Sequence, residues 1–189
     1  ELAAFLNAGP KPVYIGFGSM TSGDMGETLN IVLEAIERSG VRAVLSTGWG
    51  DVQVSKNKNV YVVGYVPHAW LFEHVAAVVH HGGAGTTAAG ILAGRPTLVI
   101  PFGGDQPFWA MRVRMLGLGP KPIRREKLTA SKLARALKNL VTVKAYRVAA
   151  REVGERLRSE QGTVIAANII EHEVRKWLRE DDAWMPIIK

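Results

Sequence analysis

His81-Gly-Gly-Ala-Gly-Thr-Thr87 is the stretch around which the rest of this chain can be interpreted. An apolar run, Val75 to Val79, precedes it, and its valines favour a strand. A run of small residues at 88–93 follows it and predicts a helix, which ends before Gly94 and Pro96. The glycines therefore lie on a turn that leads from a strand into a helix.

This turn has the features of an anion-binding site. Gly83 and Gly85 can take positive φ and let a ligand approach bare backbone. The first amides of the following helix have no intrahelical partners and lie at the positive end of the helix dipole, where phosphate is the usual occupant. Thr86 and Thr87 add hydroxyl donors. His81, at the lip of the turn, can donate a further hydrogen bond, which is charge-assisted when the imidazole is protonated.

The composition narrows the class of protein. The 189 residues suffice for one domain with a full core, and the absence of cysteine excludes disulfides and thiolate metal sites. No transmembrane stretch and no signal peptide are visible, so a cytoplasmic location is expected. The formal net charge of +7 favours anionic partners such as nucleotides. No nucleic-acid partner is predicted, because most of the basic residues are interpreted as solvated charge on the late helices.

The start of the chain, Glu1-Leu2-Ala3, has no initiating Met, which favours a domain cut from a longer protein. Short apolar runs predict strands at 13–17, 41–46, 60–63 and 97–100. Residues 120–123 contain two prolines and are expected to form a short edge strand. Apolar residues at helical spacing predict three late helices, at 128–140, 144–157 and 164–178.

The alternation of strands and helices predicts an α/β fold. We expect a Rossmann-like, doubly wound parallel sheet with helices on both faces, as a single domain over residues 1–189 with a helical C-terminal segment from about residue 129. Glycine loops follow three of the predicted strands, at Gly18, Gly82 and Gly103. Ligands of such sheets bind beyond the carboxyl ends of the strands, so these loops should share one rim.

A dinucleotide-binding site is an alternative interpretation of the same turn. Gly83-Ala84-Gly85-Thr86-Thr87-Ala88 fits the fingerprint G-x-G-x-x-A, and Asp105 lies about 20 residues further on. However, the fingerprint normally follows the first strand of its domain, whereas here several strands precede it. The acidic residue normally ends the next strand, whereas Asp105 lies beyond Gly103-Gly104.

Four motifs together resemble the carboxy-terminal domain of a GT-B glycosyltransferase of the UDP-glycosyltransferase superfamily. The chain is most similar to sterol 3-beta-glucosyltransferases and to bacterial macrolide and glycopeptide glycosyltransferases, in order and spacing over nearly its whole length. The motifs are Ile15-Gly-Phe-Gly-Ser19, Gly64-Tyr-Val-Pro-His68, His80-His-Gly-Gly-Ala-Gly-Thr-Thr87 and Pro101-Phe-Gly-Gly-Asp-Gln106.

The resemblance implies a nucleotide-sugar donor site. It assigns the diphosphate to His81, to the glycine turn with its helix amides and to Ser19. It assigns the base to Tyr65 and Val66, and the sugar hydroxyls to the pair Asp105 and Gln106. Two positions differ from many plant and animal relatives, which have Trp where this chain has Tyr65 and a ribose-binding Glu where it has Ala89.

The resemblance also implies an inverting reaction, in which an acceptor hydroxyl attacks the anomeric carbon as UDP leaves. No metal ion or other cofactor is expected, because the helix end and His81 carry the charge of the leaving group. The catalytic base and the acceptor pocket are expected in a missing amino-terminal domain, so no catalytic residue is assigned here. A lipophilic acceptor such as a sterol is expected, and with it peripheral membrane contact of the full-length protein. Trp177 and Trp184 are candidates for docking on the missing domain.

Other interpretations remain open at this point: a stand-alone nucleotide-binding module, half of a UDP-sugar epimerase, or an NAD-binding domain. At the residue level, His80 and His81 must point opposite ways along an extended segment, and the interior one is expected to be an ordinary satisfied histidine. Asp105 also suits a helix N-cap, although a cap does not explain the Gly-Gly before it.

Overall fold

Five short parallel strands form the centre of the computed structural model, which describes residues 1–18, 25–46 and 57–182. Their order across the sheet is β3-β2-β1-β4-β5. The bounds are Val13–Gly16 for β1, Ala43–Ser46 for β2, Val60–Val63 for β3, Ala77–His80 for β4 and Thr97–Val99 for β5.

The central strands are apolar on both faces because helices cover both. In β1, Val13 and Ile15 point to one core, whereas Tyr14 between them points to the other. All four residues of β1 are buried, as are those of β4. A strand covered on both sides has no polar face to expose, so its sequence shows a continuous apolar run.

Two layers of helix enclose the sheet. On one face, α2 packs against α6 over the sheet through residues such as Val32, Ile36, Leu133 and Leu137. On the other face lie α1 and α3, while α5 packs against β5. The bounds are Leu2–Asn7 for α1, Met25–Ser39 for α2, His68–His74 for α3, Ala84–Leu92 for α4, Gln106–Met115 for α5, Ala130–Thr142 for α6, Lys144–Ser159 for α7 and Gly162–Asp182 for α8.

The chain forms two compact units, Glu1–Leu157 and Arg158–Lys189. The first contains the sheet with α1 to α6 and most of α7. Of the predicted helical C-terminal segment, α6 belongs to the first unit, because Leu133, Leu137 and Leu140 are buried in its core. The second contains α8, a helix that carries several exposed apolar residues along its length.

The predicted α/β class is confirmed, but the edge strand at 120–123 is wrong. Only the Ile123 amide reaches the sheet, donating to the carbonyl of Val99 at 3.2 Å. Pro120 and Pro122 have no amide hydrogen, so this segment cannot build a ladder of such bonds. Among the helices of the described ranges, none is both long and apolar enough to cross a membrane.

Candidate functional site

The strand order creates a crevice between the ends of β1 and β4. The chain proceeds outward from β1 to β2 and β3, and then crosses back to place β4 on the other side of β1. Ligands of parallel sheets bind where the winding direction reverses in this way. Gly18 leaves β1 at this point, and a Cβ on it would lie 3.4 Å from Cε1 of His81. The two glycine loops therefore meet, as predicted.

Gly82 gives the turn after β4 its shape. Its φ is +100°, and a Cβ there would lie 2.7 Å from Cγ1 of Val99 and 3.2 Å from the carbonyl oxygen of Gln106. Gly83 and Gly85, which can take positive φ, do not do so here. Gly83 has φ −62° as the N-cap of α4, and Gly85 lies within the helix. The residue with positive φ is Gly82, one position earlier. Val99 of β5 and Gln106 of α5 lie so close to it that only a glycine fits there.

Gly83 and Gly85 keep the backbone accessible for a different reason. A Cβ on Gly83 would lie 2.5 Å from Nε2 of His81, so the imidazole packs directly on the bare α-carbon. Nothing lies within 4 Å of the corresponding position at Gly85. The first turn of α4 is thus uncovered at the N-terminus, where backbone amides point outward.

The two threonines of the turn are placed differently. Thr87 is buried; its amide and its hydroxyl both donate to the carbonyl of Gly83, each at 2.9 Å. Its hydroxyl is therefore directed into the helix rather than toward the rim, because a threonine on a helix can donate to a carbonyl one turn earlier. Thr86 is partly exposed, so the accessible hydroxyl of the turn is its own. The amides of Ala84, Gly85 and Thr86 precede the first intrahelical bond, which the Thr87 amide makes, so they have no partner within α4.

The two adjacent histidines point to opposite sides. His80 is fully buried, whereas His81 is partly exposed at the crevice, as the sequence indicates. Nδ1 of His80 accepts a hydrogen bond from the Gly82 amide at 2.9 Å, and its Nε2 has no partner among the described residues. The sequence predicts that both ring nitrogens of the interior histidine are hydrogen-bonded, and within the described part of the chain only Nδ1 of His80 is.

The charge state of His81 depends on its surroundings. Burial lowers the pKa of His81, the carboxylate of Asp105 acts to raise it, and His68 acts to lower it. The net shift is downward, which keeps the imidazole neutral at pH 7. A phosphate placed beside it would favour the protonated form. The loop after β5 reaches the same rim as the turn after β4, because a Cβ on Gly82 would lie 3.2 Å from the carbonyl oxygen of Gln106.

In the loop after β5, Asp105 and Gln106 have different environments. Asp105 is exposed in the N-cap position of α5, but its side chain makes no capping bond and instead accepts from the Trp109 indole at 2.9 Å. Gln106 is buried, and its side-chain oxygen accepts from the amides of Phe102 and Gly103, at 2.7 and 3.2 Å. Gln106 therefore shapes the loop, while Asp105 faces solvent.

The turn after β3 borders a separate pocket. Tyr65 is 95% exposed, and Val66 is partly buried against the core beneath. Beside them is a cavity of about 200 Å³ whose polar lining includes Tyr14, Ser46 and His68. Tyr14 Oη lies 3.2 Å from Nε2 of His68, whose ring stacks on Phe72 with centroids 4.6 Å apart. The lining of the pocket therefore combines these polar groups with apolar side chains such as Val63 and Leu71.

The structure thus places the predicted residues in two neighbouring groups. His81, Gly83, Gly85, Thr86 and Asp105 share the rim at β1, β4 and β5, with Thr87 and Gln106 buried behind it. Tyr65 and Val66 lie at the far end of the sheet, three strand spacings or about 14 Å from β4. Ser19 lies outside the described residues. Both groups lie at the carboxyl ends of the strands.

Tyr14 and Trp109 were not recognised in the sequence as part of this site. Tyr14 occurs within an apolar strand and Trp109 within a helix, so neither carries a local signal. Burial raises the pKa of Tyr14, which keeps its hydroxyl protonated as a donor. No cluster of three or more His, Asp or Glu side chains suited to a metal ion occurs among the described residues.

A family model supports this assignment of the fold. The model described as erythromycin biosynthesis protein CIII-like, C-terminal domain, matches residues 43–172. The chain is 26% identical to the glycotransferase of kitacinnamycin, with a TM-score of 0.71 over 87% of this chain and 44% of that one. It is 25% identical to LpCGTa, solved in complex with UDP, with a TM-score of 0.70 over 81% of this chain and 39% of that one. These likenesses confirm the predicted half of a GT-B fold.

Curated relatives with similar sequences are sterol 3-beta-glucosyltransferases. UGT80A2 of Arabidopsis thaliana is 42% identical over 164 residues, which are 86% of this chain and 26% of that protein. The enzyme of Komagataella phaffii is 39% identical over 173 residues, 88% of this chain and 14% of that protein. The chain therefore spans about a quarter or less of the length of these two relatives.

Proposed function

This chain belongs to the family of erythromycin biosynthesis protein CIII-like C-terminal domains, and we propose that it is the UDP-sugar-binding half of a glycosyltransferase. The observation that carries the proposal is the meeting of three loops at one crevice. A Cβ on Gly18 would lie 3.4 Å from the ring of His81, and a Cβ on Gly82 would lie 3.2 Å from the carbonyl oxygen of Gln106 at the start of α5. These contacts join the ends of β1, β4 and β5 around one uncovered helix N-terminus.

The proposed ligand lies across the carboxyl ends of the strands. The diphosphate faces the amides at the start of α4, together with His81 and the hydroxyl of Thr86. The nucleoside extends toward Tyr65 and Val66, where an exposed ring and a pocket of about 200 Å³ can take a planar base. The sugar lies toward Asp105, whose carboxylate can accept from hydroxyl groups.

The proposed reaction is inverting and invokes no metal ion. An acceptor hydroxyl attacks the anomeric carbon while the bond from that carbon to the UDP oxygen breaks. Negative charge then grows on the leaving diphosphate, and the outward amides of α4 stabilise it together with His81. The base that takes the acceptor proton is proposed to lie in a further domain, since the known relatives are several times longer than this chain.

The acceptor is proposed to be a lipophilic hydroxyl compound such as a sterol, because the curated relatives carry that name. Such an acceptor would bring a full-length protein of cytoplasmic location to a membrane surface. In α8, Ile170 and Trp177 are exposed apolar side chains, and the further domain is proposed to pack against them. Trp184 lies outside the described residues.

Calorimetric titration of this chain with UDP, UDP-glucose, TDP-glucose and NAD tests the proposal. We expect weak UDP binding, because half of the enclosing cleft is supplied elsewhere, and no transfer to a sterol by this chain alone. Tighter binding of NAD than of UDP would favour the dinucleotide alternative. UDP binding without any added affinity for UDP-glucose would favour a nucleotide-binding module.

An epimerase half predicts a different outcome in the full-length protein. An epimerase interconverts UDP-sugars without an acceptor, whereas the proposed transferase releases UDP only when an acceptor hydroxyl is present. Incubating the full-length protein with UDP-glucose, with and without cholesterol, and following UDP release therefore separates the two. Conversion of the sugar in the absence of cholesterol would contradict the proposed transfer.

A further inference from the structure

A buried side chain closes the turn that carries the candidate phosphate site. The amide of Gly82 donates to Nδ1 of His80, two residues earlier, at 2.9 Å, and both atoms are buried. The carbonyl of His80 in turn accepts from the Ile100 amide at 2.9 Å, so the residue is held in the sheet. The bond therefore links the turn at Gly82 to the end of β4.

This contact requires one protonation state of His80. A backbone amide can only donate, so Nδ1 must accept and the hydrogen of the neutral ring must be on Nε2. Protonation would place a hydrogen on Nδ1 and break the bond. Burial, with smaller effects of His81 and His68, lowers the pKa of His80 to about 3. The acceptor is therefore preserved throughout the physiological pH range.

The hydrogen bond joins the two residues on either side of His81. Because residue 82 is bonded back to residue 80, the backbone at residue 81 is confined to one path, and its imidazole emerges on the opposite side. There it packs on the bare α-carbons of Gly18 and Gly83. The same closure sets where Gly83 begins α4, and hence where the first helix amides point. Both sets of candidate phosphate donors therefore adjoin the turn that this bond closes.

Packing alone does not account for a histidine at this position. An imidazole in a fully buried site must give up its hydration, and Nε2 has no hydrogen-bond partner among the described residues. An aliphatic side chain would fill the space without burying a polar atom. The acceptor at Nδ1 is the property that such a side chain lacks.

We propose that His80 is a positioning residue of the phosphate site, which orients His81 and the helix amides through its hydrogen bond from Gly82. This inference rests on the proposed binding of a nucleoside diphosphate. His80 itself does not touch the ligand. Its contribution is to hold the turn in the conformation that the ligand requires, so that no reorganisation is needed on binding.

Three variants at this position separate the acceptor from the rest of the side chain. His80→Asn places a carbonyl oxygen where Nδ1 lies, His80→Gln places it one bond further out, and His80→Leu has no acceptor. Measured by calorimetry with UDP, the Asn variant should stay within about threefold of wild-type affinity. The Leu and Gln variants should lose about tenfold, as expected when a buried amide loses its partner.

A second measurement on the same variants needs no ligand. Amide hydrogen exchange at Gly82 should be slow in wild type and in His80→Asn, and fast in His80→Leu and His80→Gln. Val78→Ala is the matched control, because Val78 is fully buried on the same strand and face but bonds nothing in the turn. It should lower the melting temperature and leave the affinity for UDP unchanged.

The outcomes distinguish this inference from the proposed function. Wild-type affinity in His80→Leu, or equal loss in the Asn and Leu variants, overturns the positioning role. So does a loss of UDP affinity in Val78→Ala as large as that in His80→Leu. Absence of UDP binding in wild type refutes the proposed function instead, while the exchange rates still test whether His80 orders the turn. Where His80→Leu does not fold, the Asn and Gln variants make the same comparison.

Discussion

At the scale of single residues, His81 combines a lowered pKa with a position facing the candidate ligand. If it donates to a phosphate oxygen, His81→Ala should cost about 1.5–3 kcal/mol of UDP binding free energy, the usual range for hydrogen bonds to charged groups. Burial keeps the free imidazole neutral, and a bound phosphate favours its protonation. Binding therefore takes up a proton, and affinity should rise as the pH falls through the region of 6.5 and below.

The measurement is calorimetric titration with UDP at several pH values, in wild type and in His81→Gln. UDP itself titrates in this range, so the comparison at each pH isolates the contribution of the imidazole. The Gln variant keeps a hydrogen-bond donor and cannot be protonated. A pH dependence that is identical in both proteins would exclude His81 as the residue that takes up the proton.

Asp105 and Gln106, paired in the resemblance, should respond differently to substitution. Asp105→Asn keeps an acceptor for the Trp109 indole and removes only the charge. It should leave UDP affinity nearly unchanged and abolish the added affinity for UDP-glucose. Equal loss for both ligands in a folded protein would point to a phosphate or ribose contact and reopen the dinucleotide interpretation.

Gln106→Ala should lower the affinity for both UDP and UDP-glucose, and it should lower the free energy of unfolding. It leaves two loop amides, those of Phe102 and Gly103, without their acceptor, at a cost of about 1–3 kcal/mol for a buried donor. Gln106→Glu keeps an acceptor oxygen at the same distance and is the control. Thermal melts in parallel with titrations check this, and an unchanged melting temperature in Gln106→Ala would contradict the role in the loop.

At the scale of elements, the turn between β4 and α4 depends on Gly82 in two ways. Gly82→Ala would force a left-handed backbone on an alanine and place its Cβ 2.7 Å from Val99. Gly40→Ala imposes a similar backbone conformation, φ +69°, with nothing within 4 Å. We expect a loss of about 1–2 kcal/mol in the free energy of unfolding for Gly40→Ala, and a larger loss for Gly82→Ala.

The two variants should also differ in their affinity for UDP. Gly40→Ala changes the end of α2, remote from the crevice, and should bind UDP normally. Gly82→Ala should bind poorly even where it remains folded, because relieving the clash moves the start of α4 or of α5. Chemical denaturation measures the free energy of unfolding, and calorimetry measures the affinity for UDP. Equal destabilisation of the two variants would refute the steric argument.

At the scale of the whole molecule, the candidate site belongs entirely to the first compact unit. A chain that ends at Ser159, the last residue of α7, should keep its melting temperature and its affinity for UDP. It should also be more soluble, because the apolar residues along α8, such as Ile170 and Trp177, are exposed. Thermal melts and light scattering check this; loss of cooperative unfolding on truncation would show that α8 supports the first unit.

Local pattern was sufficient to predict most of the elements and the surface on which the site lies. The five apolar runs predicted as strands all became strands. Helices cover both faces of the sheet, so β1, β2, β4 and β5 are almost entirely buried, and this burial is visible in the sequence itself. Residues 60–63 became β3 without change, and the turn at 81–87 joins β4 to α4. The glycine loops at Gly18 and Gly82 meet because the carboxyl ends of parallel strands lie on one side of a sheet.

Only the tertiary structure decided which residues of those loops are exposed at the crevice and which are buried behind it. The positive φ falls on Gly82, because Val99 and Gln106 come from elements that no local pattern brings together. Gln106 is buried because it lies against Gly82 of the turn after β4, while its side-chain oxygen accepts from two amides of its own loop. The sequence by itself determined where strands end and glycines follow; strand order and packing determined which side chains remain free to bind, because those depend on contacts between distant residues.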